Sequence, residues 1–227
     1  MNFNYVKKCL MMIAIVVISI LCYKYFFKSW SPYYQEKLYK DPRPLLVQAL
    51  QLFNVDKSKT KNALDLGAGS GNDTAYLLKN GWHVWANDKE SEAIRIIAKR
   101  IDIEPYQKNL TLIQAKFTDL LWDSLPVFDL IYAGYALPFI NKDNFNEIWD
   151  NIIKALKPQG ILAVHFFGTH HQGFNWWERK NMVFFTKEDT IHLLKDFGII
   201  LLEESCDKND NGIIDHSFSV IACKKMD

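Results

Sequence analysis

The sequence lacks the features that would announce several common functions. It has four cysteines in 227 residues, and two of them, Cys9 and Cys22, lie in an apolar run near the start. Cys206 and Cys223 remain, which is no disulfide framework. Neither sign of charge dominates, with 27 Lys and Arg against 26 Asp and Glu, and no basic block stands on the globular part. Nucleic acid is therefore not an expected partner. There is no internal repeat, no low-complexity segment and no compositional sign of disorder. What is present is a 49% apolar chain. That suffices for the core of one α/β domain of ordinary size, with little left for a second.

One long hydrophobic run exists. After Lys7 and Lys8, residues Cys9 to Tyr23 are apolar except for Ser19, then Lys24 interrupts before Tyr25, Phe26 and Phe27. The run spans a bilayer core only if Lys24 snorkels and the aromatics sit at headgroup level. A cleaved signal peptide would want small residues before its cleavage site, where bulky Tyr23, Tyr25 and Phe26 stand. A lipoprotein reading of Cys22 meets the same objection in Ile20 and Leu21, and a buried core helix would not be apolar on every face. The reading taken is a single transmembrane anchor over residues 1–29, with a globular domain over 30–227. Lys24, Lys28, Lys37, Lys40 and Arg43 outnumber Lys7, Lys8 and the α-amine, which favours a cytoplasmic domain on a single-pass membrane protein.

From about Trp30 onward, apolar runs alternate with helix-like stretches, predicting βα units and a mostly parallel sheet. Helical spacing runs from Tyr34 to Phe53, interrupted by Pro42 and Pro44. Strands are expected at Asn62–Leu66, His83–Asn87, Leu110–Ala115, Phe128–Tyr132 and Ile161–Phe167. Helices are expected around Thr74–Leu78, Ser91–Ile101, Phe145–Leu156 and Lys187–Phe197, the last capped by Thr186 and Asp189. Ile199–Glu204 and Phe218–Lys224 could close as an antiparallel hairpin. Between them, Asp207, Asn209, Asn211, Gly212 and Asp215 match the opening of an EF-hand loop, but Phe218 occupies the position of its bidentate Glu. A polar hairpin turn is the better reading.

The chemistry concentrates in Asp65 to Gly71, DLGAGSG, at the end of the first expected strand. Gly67, Gly69 and Gly71 let backbone approach a ligand, and Asn72, Asp73 and Thr74 offer N-cap side chains to the next helix. Asp88 ends the second strand, about twenty residues on, where a carboxylate accepts both hydroxyls of a ribose. A dinucleotide fingerprint would need its third glycine at position 72, and Asn72 stands there. That leaves a dinucleotide-dependent oxidoreductase as the minor alternative.

ALDLGAGSG (63–71), Asp88, FTDL (117–120), FDLIYA (128–133) and LKPQG (156–160) resemble the core of the class I S-adenosylmethionine-dependent methyltransferases. GNDT (71–74), GWHVWAND (81–88), LPF (137–139), HFFG (165–168) and VIACKK (220–225) resemble bacterial tellurite-resistance-like members. The resemblance, over roughly residues 30–225, implies a Rossmann-like seven-stranded mostly parallel sheet, helices on both faces and the last strand antiparallel. It implies S-adenosylmethionine as methyl donor but is not specific to a substrate; the expected acceptor is a small molecule, and no metal is expected because no Cys or carboxylate stands at metal-ligand spacing from His170 and His171. A lipophilic acceptor is an option the anchor opens. Asp65 would orient the loop and the methionine amine; Gly67, Gly69 and Gly71 would form the cradle; Asp88 would take the ribose. Phe117 would lie beside adenine and Tyr135 near the sulfonium. Many members carry an acid just before Phe117; here Lys116 cannot accept a hydrogen bond, and Asp119 could substitute.

A general base is needed only if the acceptor must lose a proton. Candidates are His165, His170 and His171 at and after the fifth strand, with Tyr135, just past the fourth, as a further catalytic candidate; a solvated loop histidine is the plainer reading of the pair. Phe174, Trp176 and Trp177, with Trp30, Tyr33 and Tyr34, could wall an acceptor pocket or rest as core and lipid-surface residues. A cofactor-binding protein without catalysis is the other class left open.

Overall fold

The computed structural model describes Met12 and residues 30–53, 61–175 and 179–226. The expected anchor over residues 1–29 and the pair Trp176 and Trp177 lie outside the described residues, Met12 apart. Among the described residues no helix is long and apolar enough to cross a membrane. The chain divides into two compact units, Met1–Glu36 and Lys37–Asp227. In the first, a short helix α1 (Ser31–Glu36) carries Tyr33, whose ring lies edge-on to Trp30 at 5.8 Å.

The second unit is built on one seven-stranded sheet in the order β3-β2-β1-β4-β5-β7-β6. Its strands are β1 (Asn62–Leu66), β2 (His83–Asp88), β3 (Leu110–Gln114), β4 (Phe128–Ala133), β5 (Leu156–Phe167), β6 (Phe197–Lys208) and β7 (Ile214–Lys224). β1 to β5 pair in parallel, and β7 is antiparallel to both neighbours, as the resemblance implied. The helices are α2 (Pro44–Gln51), α3 (Asn72–Lys79), α4 (Ser91–Ala98), α5 (Lys142–Ala155) and α6 (Lys187–Leu193).

Strand alternation sorts the core into two layers. Leu64 and Leu66 face a cluster with Phe145, Ile148, Trp149 and Ile152, whose spacing makes the apolar stripe of α5. Ala63, Leu130 and Tyr132 face the other cluster, with Leu46 of α2, Leu78 of α3 and Ile97 of α4.

Four expectations need correction. α4 stops at Ala98, and a 3-10 segment containing Pro105 runs from Ile101 to Asn109, because proline cannot continue an α-helix. The turn Pro158-Gln159-Gly160 is absorbed into β5, with Gln159 at φ 62° and a register shift opposite Phe128 and Leu130. α6 ends at Leu193, and Phe197 opens β6 instead, although the expected capping box of Thr186 and Asp189 forms in full. Finally, α3 is capped by Gly71 at φ 76° with no side-chain cap. Asn72, Asp73 and Thr74 turn their side chains to other partners, described below. In the β6–β7 turn, Asn209 Oδ1 accepts from the N–H of Asn211 and Ile213, so the EF-hand-like residues form the polar hairpin turn.

Candidate active site

The sheet order reverses between the parallel neighbours β1 and β4, where the connections leaving the two strands run to opposite sides and leave a crevice at their carboxyl ends. The loop after β1 fills one wall. Gly67, Gly69 and Gly71 all lie in the left-handed region, at φ 73°, 56° and 76°. A Cβ on Gly67 would collide with the Ala136 methyl, and one on Gly71 would sit 2.6 Å from Ile97 Cγ1. The loop is hung from β2 by the N–H groups of Gly67 and Ala68, both donating to the Asn87 carbonyl at 2.9 Å.

Asp88 joins this wall directly. Its Oδ2 accepts the Gly69 N–H and its Oδ1 the Glu90 N–H, each at 2.9 Å. The buried carboxylate is thus fixed at the loop's edge. Phe117 is half-buried, with its Cζ 3.9 Å from where a Gly67 Cβ would stand, so the third-strand loop meets the first. Asp119 is exposed and accepts the Thr118 hydroxyl at 2.9 Å.

Behind the loop lies a polar cluster that sequence reading identified only in part. Asp65 is buried and accepts the Thr74 hydroxyl at 2.5 Å. Burial, and next the neighbouring Asp73 carboxylate, push its carboxyl up to about 7. Asp73 is held by Arg43, through both the backbone N–H and the guanidinium. Arg43 was missed because it lies before the first strand in DPRP, with no motif around it. The signal available was Pro44, which starts α2 and fixes where Arg43 leaves the helix.

Arg43 also meets β4. A Cβ on Gly134 would sit 2.6 Å from the Tyr132 hydroxyl and 3.1 Å from Arg43 Nη1, so glycine is what lets these groups converge. The Tyr132 hydroxyl is buried without a well-formed hydrogen bond; the Asp73 carboxylate is near enough to help burial raise its pKa but is not placed to accept its proton. His165 Nδ1 is likewise buried without a partner. Burial, and next the Arg43 charge, push that imidazole down to about 3, so it is neutral.

Tyr135 closes this corner. Its backbone is left-handed at φ 61°, uncommon for a bulky residue, and its ring stacks on His165 at 4.1 Å. From there an aromatic series runs outward: Tyr135 on Phe167 at 5.7 Å, and Phe167 on His171 at 4.2 Å. Phe139 and Phe174 meet edge-on at 5.5 Å beside it.

The two loop histidines separate. His171 is buried in the aromatic series and held neutral chiefly by burial; its Nδ1 is 3.1 Å from Asp215 Oδ1, though outside hydrogen-bond geometry. His170 is exposed and stacks on His216, away from Tyr135. Folding also brings Cys206 and His216 to His170, with one donor atom of each within 4.8 Å of the others, a grouping that linear spacing did not reveal. His216 Nδ1 accepts the His170 N–H and its Nε2 faces Glu204 Oε1, both at 3.1 Å. With both ring nitrogens engaged, His216 has no lone pair left for a cation.

Comparisons with known proteins agree with this geometry. Residues 63–160 match a family model described as a methyltransferase domain. Phosphoethanolamine N-methyltransferase 1 of Zea mays is 27% identical over 158 residues, 66% of this chain and 30% of the relative. The chain spans less than half the length of the phosphoethanolamine N-methyltransferases it matches. Among solved structures, TehB from Haemophilus influenzae superposes with a TM-score of 0.66 at 17% identity, covering 79% of this chain and 61% of that one. A Burkholderia thailandensis 1,6-didemethyltoxoflavin-N1-methyltransferase, solved with bound 1,6-didemethyltoxoflavin and S-adenosylhomocysteine, gives 0.60 at 20% identity, covering 81% and 79%. The family model lies on the strand–loop–strand core, and the sheet carries the fold shared with TehB, so residues 63–160 are a methyltransferase domain and the chain resembles the class I S-adenosylmethionine-dependent methyltransferases.

Proposed function

We propose that the protein transfers a methyl group from S-adenosylmethionine to a small-molecule acceptor. The observation that carries this is the left-handed glycine cradle after β1, bonded through Gly69 to the Asp88 carboxylate at the switch point of the sheet. The cradle fits that donor: no Cβ obstructs Gly67, the Asp88 carboxylate stands at the end of β2 beside the loop, and Asn72 occupies the position where a dinucleotide fingerprint needs glycine. When bound, the sulfonium supplies an activated methyl group.

The protein's own contribution is then placement in a dry corner. Asp88 holds the ribose and Phe117 flanks the adenine. Asp65 faces the methionine ammonium, and Arg43, carrying a guanidinium at the same corner, suits the carboxylate. Tyr135 would lie near the sulfonium, where an aromatic face would favour positive charge. The acceptor would approach along Tyr135, Phe167, Phe139 and Phe174, a wall suited to a planar or lipophilic molecule. The names of the relatives add amines to the acceptors worth testing. The anchor over residues 1–29 would hold the domain at the cytoplasmic face of a membrane.

Calorimetry with S-adenosylmethionine, S-adenosylhomocysteine and NAD tests the donor. Binding of the first two and not the third is expected; binding of NAD alone would overturn the reading. Binding without turnover on an acceptor panel that includes amines would make the domain a sensor. Fractionation of the full chain against one starting at Trp30 tests the anchor, and equal solubility would remove it.

A further inference from the structure

The cofactor loop is gripped from outside by a residue with no assigned role. Arg100 follows α4 and is buried, 4% exposed. Its Nη1 donates to the Ser70 carbonyl at 2.7 Å and to Asn72 Oδ1 at 2.8 Å. Its Nε and Nη2 form a two-pronged pair with Asp102, at 3.0 and 2.9 Å. Asn72 passes the grip on, donating from Nδ2 to the Lys37 carbonyl at 2.6 Å. The Tyr39 ring covers the guanidinium, 4.8 Å from its carbon to the ring centroid. Asn72, read from the sequence only as a missing glycine and a possible cap, is therefore the joint between the loop, Arg100 and the segment leading to Arg43.

We propose that Arg100 is a positioning residue for cofactor binding, holding the Gly69–Asn72 turn in the shape that receives S-adenosylmethionine. This rests on the reading of that loop as the cofactor cradle. The planar fork of arginine serves Ser70, Asn72 and Asp102 at once; a lysine in its place has one nitrogen and cannot span all three. Losing the grip leaves the Ser70 carbonyl and Asn72 Oδ1 short of a donor. The turn then relaxes, and with it the Gly69 N–H that meets Asp88. Asp102 has a second cation, Lys79, at 2.7 Å. That pair touches Asp102 but not the turn, which separates stability from positioning.

The test is calorimetric titration of the full chain with S-adenosylhomocysteine, well below each variant's melting temperature. Arg100→Lys should weaken binding about tenfold and Asn72→Ala about threefold, the usual reach of one or two hydrogen bonds to a charged group. The double variant should bind no worse than Arg100→Lys alone, because both act through one joint. Lys79→Met should lower the melting temperature and leave Kd unchanged. Should Arg100→Lys not fold, Asn72→Ala against Lys79→Met carries the comparison. A Kd within twofold of the unaltered protein for Arg100→Lys or, in its place, Asn72→Ala would overturn the clamp alone. So would a fall in affinity for Lys79→Met that tracks lost stability. No binding by the unaltered chain would overturn the reading of the loop, and the clamp with it.

Discussion

The loop after β1 and the loop after β5 border the same end of the sheet, and different forces hold them. The first is held by directional bonds: Gly67 and Ala68 to Asn87, Gly69 to Asp88, Ser70 and Asn72 to Arg100. Nearly all its groups are buried or fixed by glycine geometry. The second is held by ring contacts, Phe167 with His171 and Phe139 with Phe174, and by Arg179, whose guanidinium donates to the His171 carbonyl and lies 4.0 Å over Phe184. A cavity of about 380 Å³ opens there, lined by Thr169, His171, Phe174 and Arg179 among others. Directional bonds suit a ligand that never changes, and stacking tolerates ligands that differ. That contrast fits one donor and a variable acceptor.

Asp88→Ala is the sharpest way to break the comparison. It removes the carboxylate that bonds Gly69 and that we propose holds the ribose, and should weaken S-adenosylhomocysteine on the order of 100-fold by calorimetry. A loss under threefold would take Asp88 out of the site.

His165 tests the corner where the two walls meet. Its folded pKa of about 3 lies below the ordinary 6.5, so the unfolded chain takes up the proton first. Stability is therefore lost as pH falls below 6.5, with the loss complete near 3. At pH 5 the cost is about 2 kcal/mol relative to neutral pH. His165→Phe should keep the stack on Tyr135 and flatten denaturation midpoints between pH 7.5 and 5. A midpoint shift equal to that of the unaltered protein would place the acid-sensitive group elsewhere.

Asp65 carries the opposite sign. Its pKa is raised from 3.8 to about 7, so the folded state keeps a proton that the unfolded chain has lost. Stability falls as pH rises from about 4 to 7, and the full cost stands above 7. The cofactor's ammonium favours the ionised form, so binding releases a proton and affinity should rise about tenfold from pH 6 to pH 8. Asp65→Asn should flatten that profile and raise the melting temperature at pH 8. An unchanged profile in the variant would assign the proton to another group.

What could be read from the sequence divides along the same line. The seven strands, the glycine cradle, Asp65 and Asp88 were legible because each follows from local pattern: alternation, strand-end position, and spacing of about twenty residues. Arg43 and Arg100 were not, because their partners are 30 and 28–30 residues away and only the fold brings them together. The caps offered by Asn72, Asp73 and Thr74 misled for the same reason: Arg100, Arg43 and Asp65 took those side chains first. His170 and His171 looked equivalent as neighbours, yet the chain turns one to His216 and the other to Phe167. The strained φ of Tyr135 has no sequence signature, since a bulky residue is the last choice for that backbone.

The smallest effect belongs to Asp119, the candidate substitute for the acid that Lys116 replaces. Its carboxylate is exposed and already accepts the Thr118 hydroxyl at 2.9 Å, so water competes for every further bond it could make. A hydrogen bond to the adenine amino group in that setting is worth less than about 1 kcal/mol. Asp119→Asn should therefore change the Kd for S-adenosylhomocysteine less than about threefold. A tenfold loss would mean that the short 3-10 turn at Phe117–Asp119 swings inward when the cofactor binds and buries the carboxylate against adenine. In that case the edge at β3 would be completed by the ligand, whereas the Gly69–Asp88 edge is already in place.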